Sequence, residues 1–216
     1  LTENAYLLPQ SGNALDLACG IGANAIFLAS HGLTTAAWDS SDIAIKKLKE
    51  FASGKKLPLA PEVLQIEQAS LKPTSYDVIV VSKFLDRGLC ANISNSLKPG
   101  GLVFYQTFTQ EKTTLQGPSN PDFLLAKNEL LNLFNSLSVV YYRENGKLGS
   151  ISQGIRNQAL FIGQRPNPQS NGGNQPLQKT TEKTNRYAKN ISIIYKMKFL
   201  EYLFQVILKK MVNILV

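Results

Sequence analysis

The sequence is poor in the residues that build metal sites and cross-linked scaffolds: among 216 residues it has two cysteines, one histidine, two methionines and one tryptophan. Cys19 and Cys90 fall in apolar stretches without metal-ligand spacing, so neither a disulfide framework nor a zinc site follows, no metal is expected, and a reducing, cytoplasmic setting fits best. Leu1 to Gln10 lacks a basic start followed by a long apolar core, so no signal peptide is read there. A chain opening on Leu1 without an initiator methionine reads as a fragment. Charged residues make up only 18% against 44% hydrophobic. That balance excludes wholesale disorder, and the length excludes two large domains.

The formal charge of +8 is unevenly spread. Residues 1–165 carry 15 Lys and Arg against 13 Asp and Glu, a net +2, whereas residues 166–216 carry 8 against 2, a net +6. A nearly neutral body lacks the clustered cations that phosphate-driven affinity needs, so no nucleic acid is expected as a partner. Residues 166–190 form a polar Pro/Asn/Gln/Gly/Ser linker. Over 191–216, Ile193, Met197, Leu200, Phe204, Ile207 and Met211 recur every three or four residues with lysines off the stripe, the pattern of a basic amphipathic helix. Lys and Glu interrupt this segment, and a charge costs roughly 2.5–3.5 kcal/mol at the centre of a spanning helix. Contact with a membrane surface or with a partner helix therefore stays open beside a plain accessory tail.

Residues 1–165 alternate strand and helix signals. Asn4 to Pro9 reads as a helix end stopped by proline. Strands are expected at Ala14–Leu17, Thr34–Trp38, Glu62–Ile66, Tyr76–Val81 and Leu102–Thr107. Helices are expected at Ala23–His31, at Ile43–Ser53 behind a Ser41 or Asp42 cap, at Ala91–Leu97 and at Asn128–Leu137. His31 before Gly32 reads as a helix-end cap. Ser138–Arg143 and Gln158–Ile162 close the sheet as antiparallel partners. The fold class is α/β: a doubly wound, mostly parallel Rossmann-like sheet with helices on both faces and an antiparallel edge.

The chemistry centres on Leu15-Asp16-Leu17-Ala18-Cys19-Gly20-Ile21-Gly22, a Gly-x-Gly turn between the first strand and helix. Such a turn alone is equally well a structural necessity of the connection. Two aspartates shift the reading. Asp16 ends the first strand, where a carboxylate can hold an ammonium group directly or through water, or else bond the loop backbone. Asp39 ends the second strand about 20 residues after the loop, where a carboxylate accepts both hydroxyls of a ribose. Ala25 satisfies the looser dinucleotide spacing, so an NAD-dependent oxidoreductase stays open. Asp16, however, repels a pyrophosphate and favours a cationic nucleoside.

In these blocks the chain resembles the class I S-adenosylmethionine-dependent methyltransferases, and within them the small-molecule enzymes similar to tellurite-resistance methyltransferases. The resemblance covers most of residues 4–165: LDLACGIGANA, the AAWD strand end, YDVIVVSKFLDR, LKPGGLVFYQTF, and the GPSNP and NEL stretches. It implies S-adenosylmethionine as cofactor, with Asp16, Ala18, Cys19, Gly20, Gly22 and Asn24 around its methionyl part. Asp39 would hold the ribose, Ser40 would lie beside the adenine, and Ala69, Ser70 and Ser82 would complete the cofactor site. Relatives usually carry a glycine where Ala18 stands and an acidic residue near Gln68 to Ser70. They also usually carry helical residues before the point where this chain starts.

On the acceptor side Phe84, Asp86, Arg87, Gln106, Phe108 and Asn120 are the candidates. Asp86 and Arg87 read equally well as a solvated pair, and the loop holding Asn120 as either a lid or an ordinary surface loop. No dedicated base is evident, and none is required for in-line displacement on an activated methyl, where positioning can supply about 7–11 kcal/mol. The expected function is methyl transfer to a small-molecule acceptor. The alternatives are the oxidoreductase and a noncatalytic nucleoside-binding or interaction protein working through its basic tail.

Overall fold

The computed structural model describes residues 1–168. The expected linker from residue 169 onward and the expected tail helix lie outside the described residues. Seven strands form one sheet: β1 (Gly12–Leu17), β2 (Leu33–Asp39), β3 (Leu59–Val63), β4 (Tyr76–Ser82), β5 (Leu97–Phe108), β6 (Ser138–Glu144) and β7 (Gln158–Gln164). Their spatial order is β3-β2-β1-β4-β5-β7-β6. The first five are parallel, while β7 runs antiparallel to both β5 and β6. The order reverses between β1 and β4, and in open sheets of this kind ligands bind at the strand carboxyl ends beside such a switch point.

Pleating sends alternate residues to opposite faces. Ala14, Val78, Val80 and Phe104 share one face with Leu28 of α1 (Ala23–Ser30), and Ala37 on that side packs with Ala25 and Leu48 of α2 (Asp42–Ala52). Leu15, Leu17, Ile79, Val81 and Tyr105 share the other with Ile93 of α3 (Cys90–Ser96) and Leu130 of α4 (Glu129–Leu133). Helices therefore cover both faces, as the alternating pattern requires. On the second face Tyr105, Phe134 and Phe161 form a column with successive ring centroids 5.3 Å apart.

Local chemistry sets the element ends. The Ser41 side chain accepts the Ala44 N–H at 3.2 Å, which settles the cap of α2 on Ser41. His31 closes α1, its Nδ1 donating to the Phe27 carbonyl at 2.8 Å. Four elements differ from expectation. The first turn, Thr2–Leu7, is a 3-10 segment kinked at Asn4. Strand β3 begins three residues early and contains Pro61, which an edge strand tolerates because its N–H side needs no partner. Strand β5 begins at Leu97, so the Lys98-Pro-Gly-Gly101 turn becomes an irregularity within the pairing to β4. Helix α4 is only five residues long, entered through Asn128 in the left-handed region (φ 61°) and ended at Phe134.

Candidate functional site

The parallel strands β1 and β2 deliver two carboxylates to one loop. Asp16 and Asp39 are the penultimate and last residues of their strands. The chain then turns through Ala18 (φ 55°), Gly20 (φ 53°) and Gly22 (φ 79°), left-handed conformations that glycine adopts without the cost other residues carry. Cys19 N–H donates to the Trp38 carbonyl at 2.9 Å, pinning the loop to β2. Asp39 fixes it a second time: one oxygen accepts the Gly20 N–H at 2.7 Å and the other the Ser41 N–H at 2.9 Å. On the opposite side Asp16 Oδ2 accepts the Ala25 N–H at 2.9 Å in the first turn of α1. Both aspartates thus organise the loop backbone from its two flanks.

The two glycines have different reasons. A side chain at Gly22 would collide with Leu48 of α2, so Gly22 lets α1 and α2 approach. A side chain at Gly20 would meet no other atom of the described residues within 4 Å, so among them the space over Gly20 is open.

Asp16 is 1% exposed, and its Oδ1 is buried without a hydrogen-bond partner among the described residues. Burial pushes its carboxyl up to about 7, countered by the Ala25 N–H and the Asn24 side chain and reinforced by the charge of Asp39. A buried acceptor with a free oxygen is an incomplete arrangement that an ammonium donor completes. The loop would suit S-adenosylmethionine with Asp39 toward the ribose and the open space at Gly20 beside it, while Asp16, closed off from solvent, would reach an amino group only through water or the loop backbone. Burial and the charges of Asp16 and Asp39 push the Cys19 thiol up to about 12, toward its protonated form.

The other cofactor candidates surround this loop less tightly. Ser40 is exposed just after Asp39, and Ala69 and Ser70 lie in a 3-10 turn, Gln68–Ser70, within the β3–β4 connection. Gln68 ties that turn to the next crossover by donating to the Gly88 carbonyl at 3.2 Å. Ser82 ends β4 opposite Gln106 of β5 and beside the glycine loop, since Leu17 is registered with Val81.

On the acceptor side the structure ties most of the candidate side chains to the protein itself. Asp86 caps a 3-10 turn by accepting the Gly88 N–H at 2.9 Å, and Asn120 accepts the Asp122 N–H at 2.9 Å. Arg87 donates to both oxygens of Glu129 at 2.6 and 3.1 Å and to the carbonyls of Asp122 and Leu124 at 2.6 and 3.0 Å. That hydrogen bond from Arg87 holds the Glu129 carboxyl below its ordinary range. Gln106 donates to Gln158 at 2.6 Å across β5 and β7. Phe108 is buried, while Phe84 is half-buried and its carbonyl accepts the Tyr105 hydroxyl at 3.1 Å.

Three organising residues were not legible as such. Glu129 holds Arg87 and also accepts the Ala126 N–H at 2.7 Å. Arg156 donates to a ring of carbonyls in the β6–β7 loop, including Gly146, Leu148 and Ser150. Asn157, buried with φ 61°, takes the Thr113 N–H at 2.6 Å and donates to Thr114 at 2.6 Å, joining the two long loops. Glu129 and Asn157 pair with groups about 42 to 44 residues away, and Arg156 gathers carbonyls of its own irregular loop, so none of them sits in a periodic pattern. Among the described residues no helix is long and apolar enough to cross a membrane.

The chain matches the family described as "Tellurite resistance protein TehB" over residues 3–159. Among curated proteins it is 30% identical over 139 residues to "Hemagglutinin 1" of Eikenella corrodens, covering 60% of this chain and 45% of that one. It is 29% identical over 140 residues to the "Probable S-adenosyl-L-methionine-dependent methyltransferase TehB" of Haemophilus influenzae, covering 61% and 48%. The chain therefore spans about half the length of the curated relatives it matches. Among solved structures, TehB from Haemophilus influenzae superimposes with a TM-score of 0.62 at 23% identity, over 76% of this chain and 60% of that one, a likeness of fold. With a switch-point loop flanked by two aspartates and a match over most of its length, the chain belongs to the TehB family of class I S-adenosylmethionine-dependent methyltransferases.

Proposed function

We propose that this chain transfers a methyl group from S-adenosylmethionine to a small-molecule acceptor by in-line displacement. The observation that carries the reading is the convergence of Asp16 and Asp39 on one loop, with the Asp16 Oδ1 left unpartnered beside an open Gly20 backbone. When bound, the cofactor supplies a methyl group already activated by its sulfonium.

The protein's part is positioning. Asp16 holds the amino group through water or the loop backbone, Asp39 the ribose hydroxyls, and the loop from Ala18 to Gly22 fixes the methionyl chain. The carboxyl ends of β4 and β5, with Phe84, Gln106 and Phe108, form the wall the acceptor meets. Holding donor and acceptor in line is worth about 7–11 kcal/mol, enough for an acceptor that is already nucleophilic at neutral pH. An amine or hydroxyl acceptor would need a base, and Asp86 stands nearest in the sequence, although its carboxylate already caps Gly88.

Calorimetric titration with S-adenosylhomocysteine against NAD tests the cofactor. Saturable binding of the first and not the second is expected, and the reverse preference would replace this reading with the oxidoreductase. Release of S-adenosylhomocysteine in the presence of tellurite, the acceptor suggested by the family's description, tests the transfer.

A further inference from the structure

At the carboxyl edge between β4 and β5 the polar side chains are nearly all committed to the fold. Asp86 and Asn120 cap turns, Arg87 is divided between Glu129 and two carbonyls, and Gln106 donates to Gln158. Lys83 is the charged side chain at this edge that is not committed. It is exposed, and its ammonium makes no hydrogen bond or ion pair among the described residues.

Its backbone is also unusual. Lys83 stands at φ 58°, a conformation costing an L-residue roughly 1–2 kcal/mol. Such strain persists only where the surroundings enforce it, and it gathers at working sites. Here both sides enforce it: the Lys83 N–H donates to the Gln106 carbonyl at 2.7 Å, and the Tyr105 hydroxyl holds the Phe84 carbonyl. The register places the residue. Leu17 faces Val81 and Ser82 faces Gln106, so Lys83 leaves the sheet just beyond its last rung, one residue past the neighbour of Ala18. It therefore stands between the cofactor loop and the end of β5.

Resting on the methyltransferase reading, we infer that Lys83 is the specificity-determining residue of the acceptor site, and that it selects an acceptor carrying negative charge. A sulfonium donor is itself a cation, so a neutral acceptor would leave two positive charges on the same sheet edge with nothing between them. An anion between them is attracted by both, and the attraction strengthens as water is excluded.

The test titrates the full chain, saturated with S-adenosylhomocysteine at pH 8, with sodium sulfite and with dimethyl sulfoxide, its neutral pyramidal counterpart. Saturable sulfite binding is expected, with no measurable binding of the sulfoxide. Lys83→Arg should retain sulfite within about threefold, and Lys83→Met should weaken it at least tenfold, about 1.4 kcal/mol. Lys83→Gly should lose sulfite equally while melting no lower than the parent, since glycine accepts the left-handed conformation. S-adenosylhomocysteine affinity should stay within about twofold in all three variants. Absence of saturable sulfite binding by the parent, equal binding by Lys83→Met, or equal binding of the sulfoxide would overturn the assignment. If the parent failed to bind S-adenosylhomocysteine, the methyltransferase reading would fall and this one with it.

Discussion

The two halves of the crevice are built by different means. The half formed by β1 and β2 uses a short loop, left-handed backbone and two carboxylates, one of them buried with an unsatisfied oxygen. The half formed by β4, β5 and β7 uses long excursions stitched together by Arg87, Arg156 and Asn157, with their polar groups bonded within the protein. The first leaves a buried carboxylate oxygen without a partner among the described residues. The second is a self-satisfied frame, and that difference is what one expects where the donor is fixed by chemistry and the acceptor by the shape and charge of loops.

The sharpest way to break the contrast is at the glycines. Gly22→Ala should destabilise the fold by about 2–5 kcal/mol, because left-handed strain adds to a collision with Leu48. Gly20→Ala should cost only about 1–2 kcal/mol and leave a folded chain that binds S-adenosylhomocysteine poorly. Thermal melts paired with calorimetry separate the two, and equal melting losses would show that Gly20 is also a packing residue.

Asp39→Ala should weaken S-adenosylhomocysteine by about 1.5–3 kcal/mol, roughly ten- to hundredfold, because the ribose loses a charged acceptor and the loop loses its Gly20 and Ser41 bonds. Asp86→Ala, on the other half, should leave that affinity unchanged. An unaffected Asp39 variant would remove the ribose assignment.

The pH dependence isolates Asp16. Its folded pKa lies above the unfolded value, so the folded state binds the extra proton and stability falls as pH rises from about 4 through about 7. Asp16→Asn should therefore melt higher than the parent at pH 8, by roughly 1–3 kcal/mol, converge with it near pH 4, and bind cofactor weakly. An ammonium beside Asp16 favours the ionised form, so binding near pH 7 should release a proton. Titrations in two buffers of different ionisation enthalpy measure it, and zero release would place the amino group elsewhere.

The smallest effect belongs to the frame. Glu129→Gln should destabilise by about 0.5–1 kcal/mol, since Arg87 keeps its two carbonyl partners and the pair is partly exposed. Faster amide exchange at Ala126, whose N–H Glu129 accepts, with unchanged S-adenosylhomocysteine affinity is the expected signature.

The placing of Asp16, Gly20 and Asp39 at one sheet edge was legible because its signals are local. Four residues separate Asp16 from Gly20, Asp39 ends the next apolar run, and strand-turn-helix punctuation places all three. The doubly wound parallel sheet followed from alternation, and the antiparallel edge from two late apolar runs. The acceptor half was less legible because its determinants are distant pairings. Arg87 meets a carboxylate 42 residues away, and Thr113 meets Asn157 44 residues away. Neither spacing leaves a periodic trace. Proline at Pro61 and Pro99 ordinarily interrupts a strand, yet edge position and an irregular register let strands run through both.

Trp38 is the sole indole in the sequence, and its place at the end of β2 has a practical consequence. Its carbonyl receives the Cys19 N–H, its ring meets Tyr76 edge-on at 6.3 Å, and the next residue is Asp39. Ultraviolet emission from the unlabelled chain therefore originates beside the loop proposed to hold the donor. Occupancy there can be followed in real time as quenching or a spectral shift, with no dye, radioactive methyl or engineered probe.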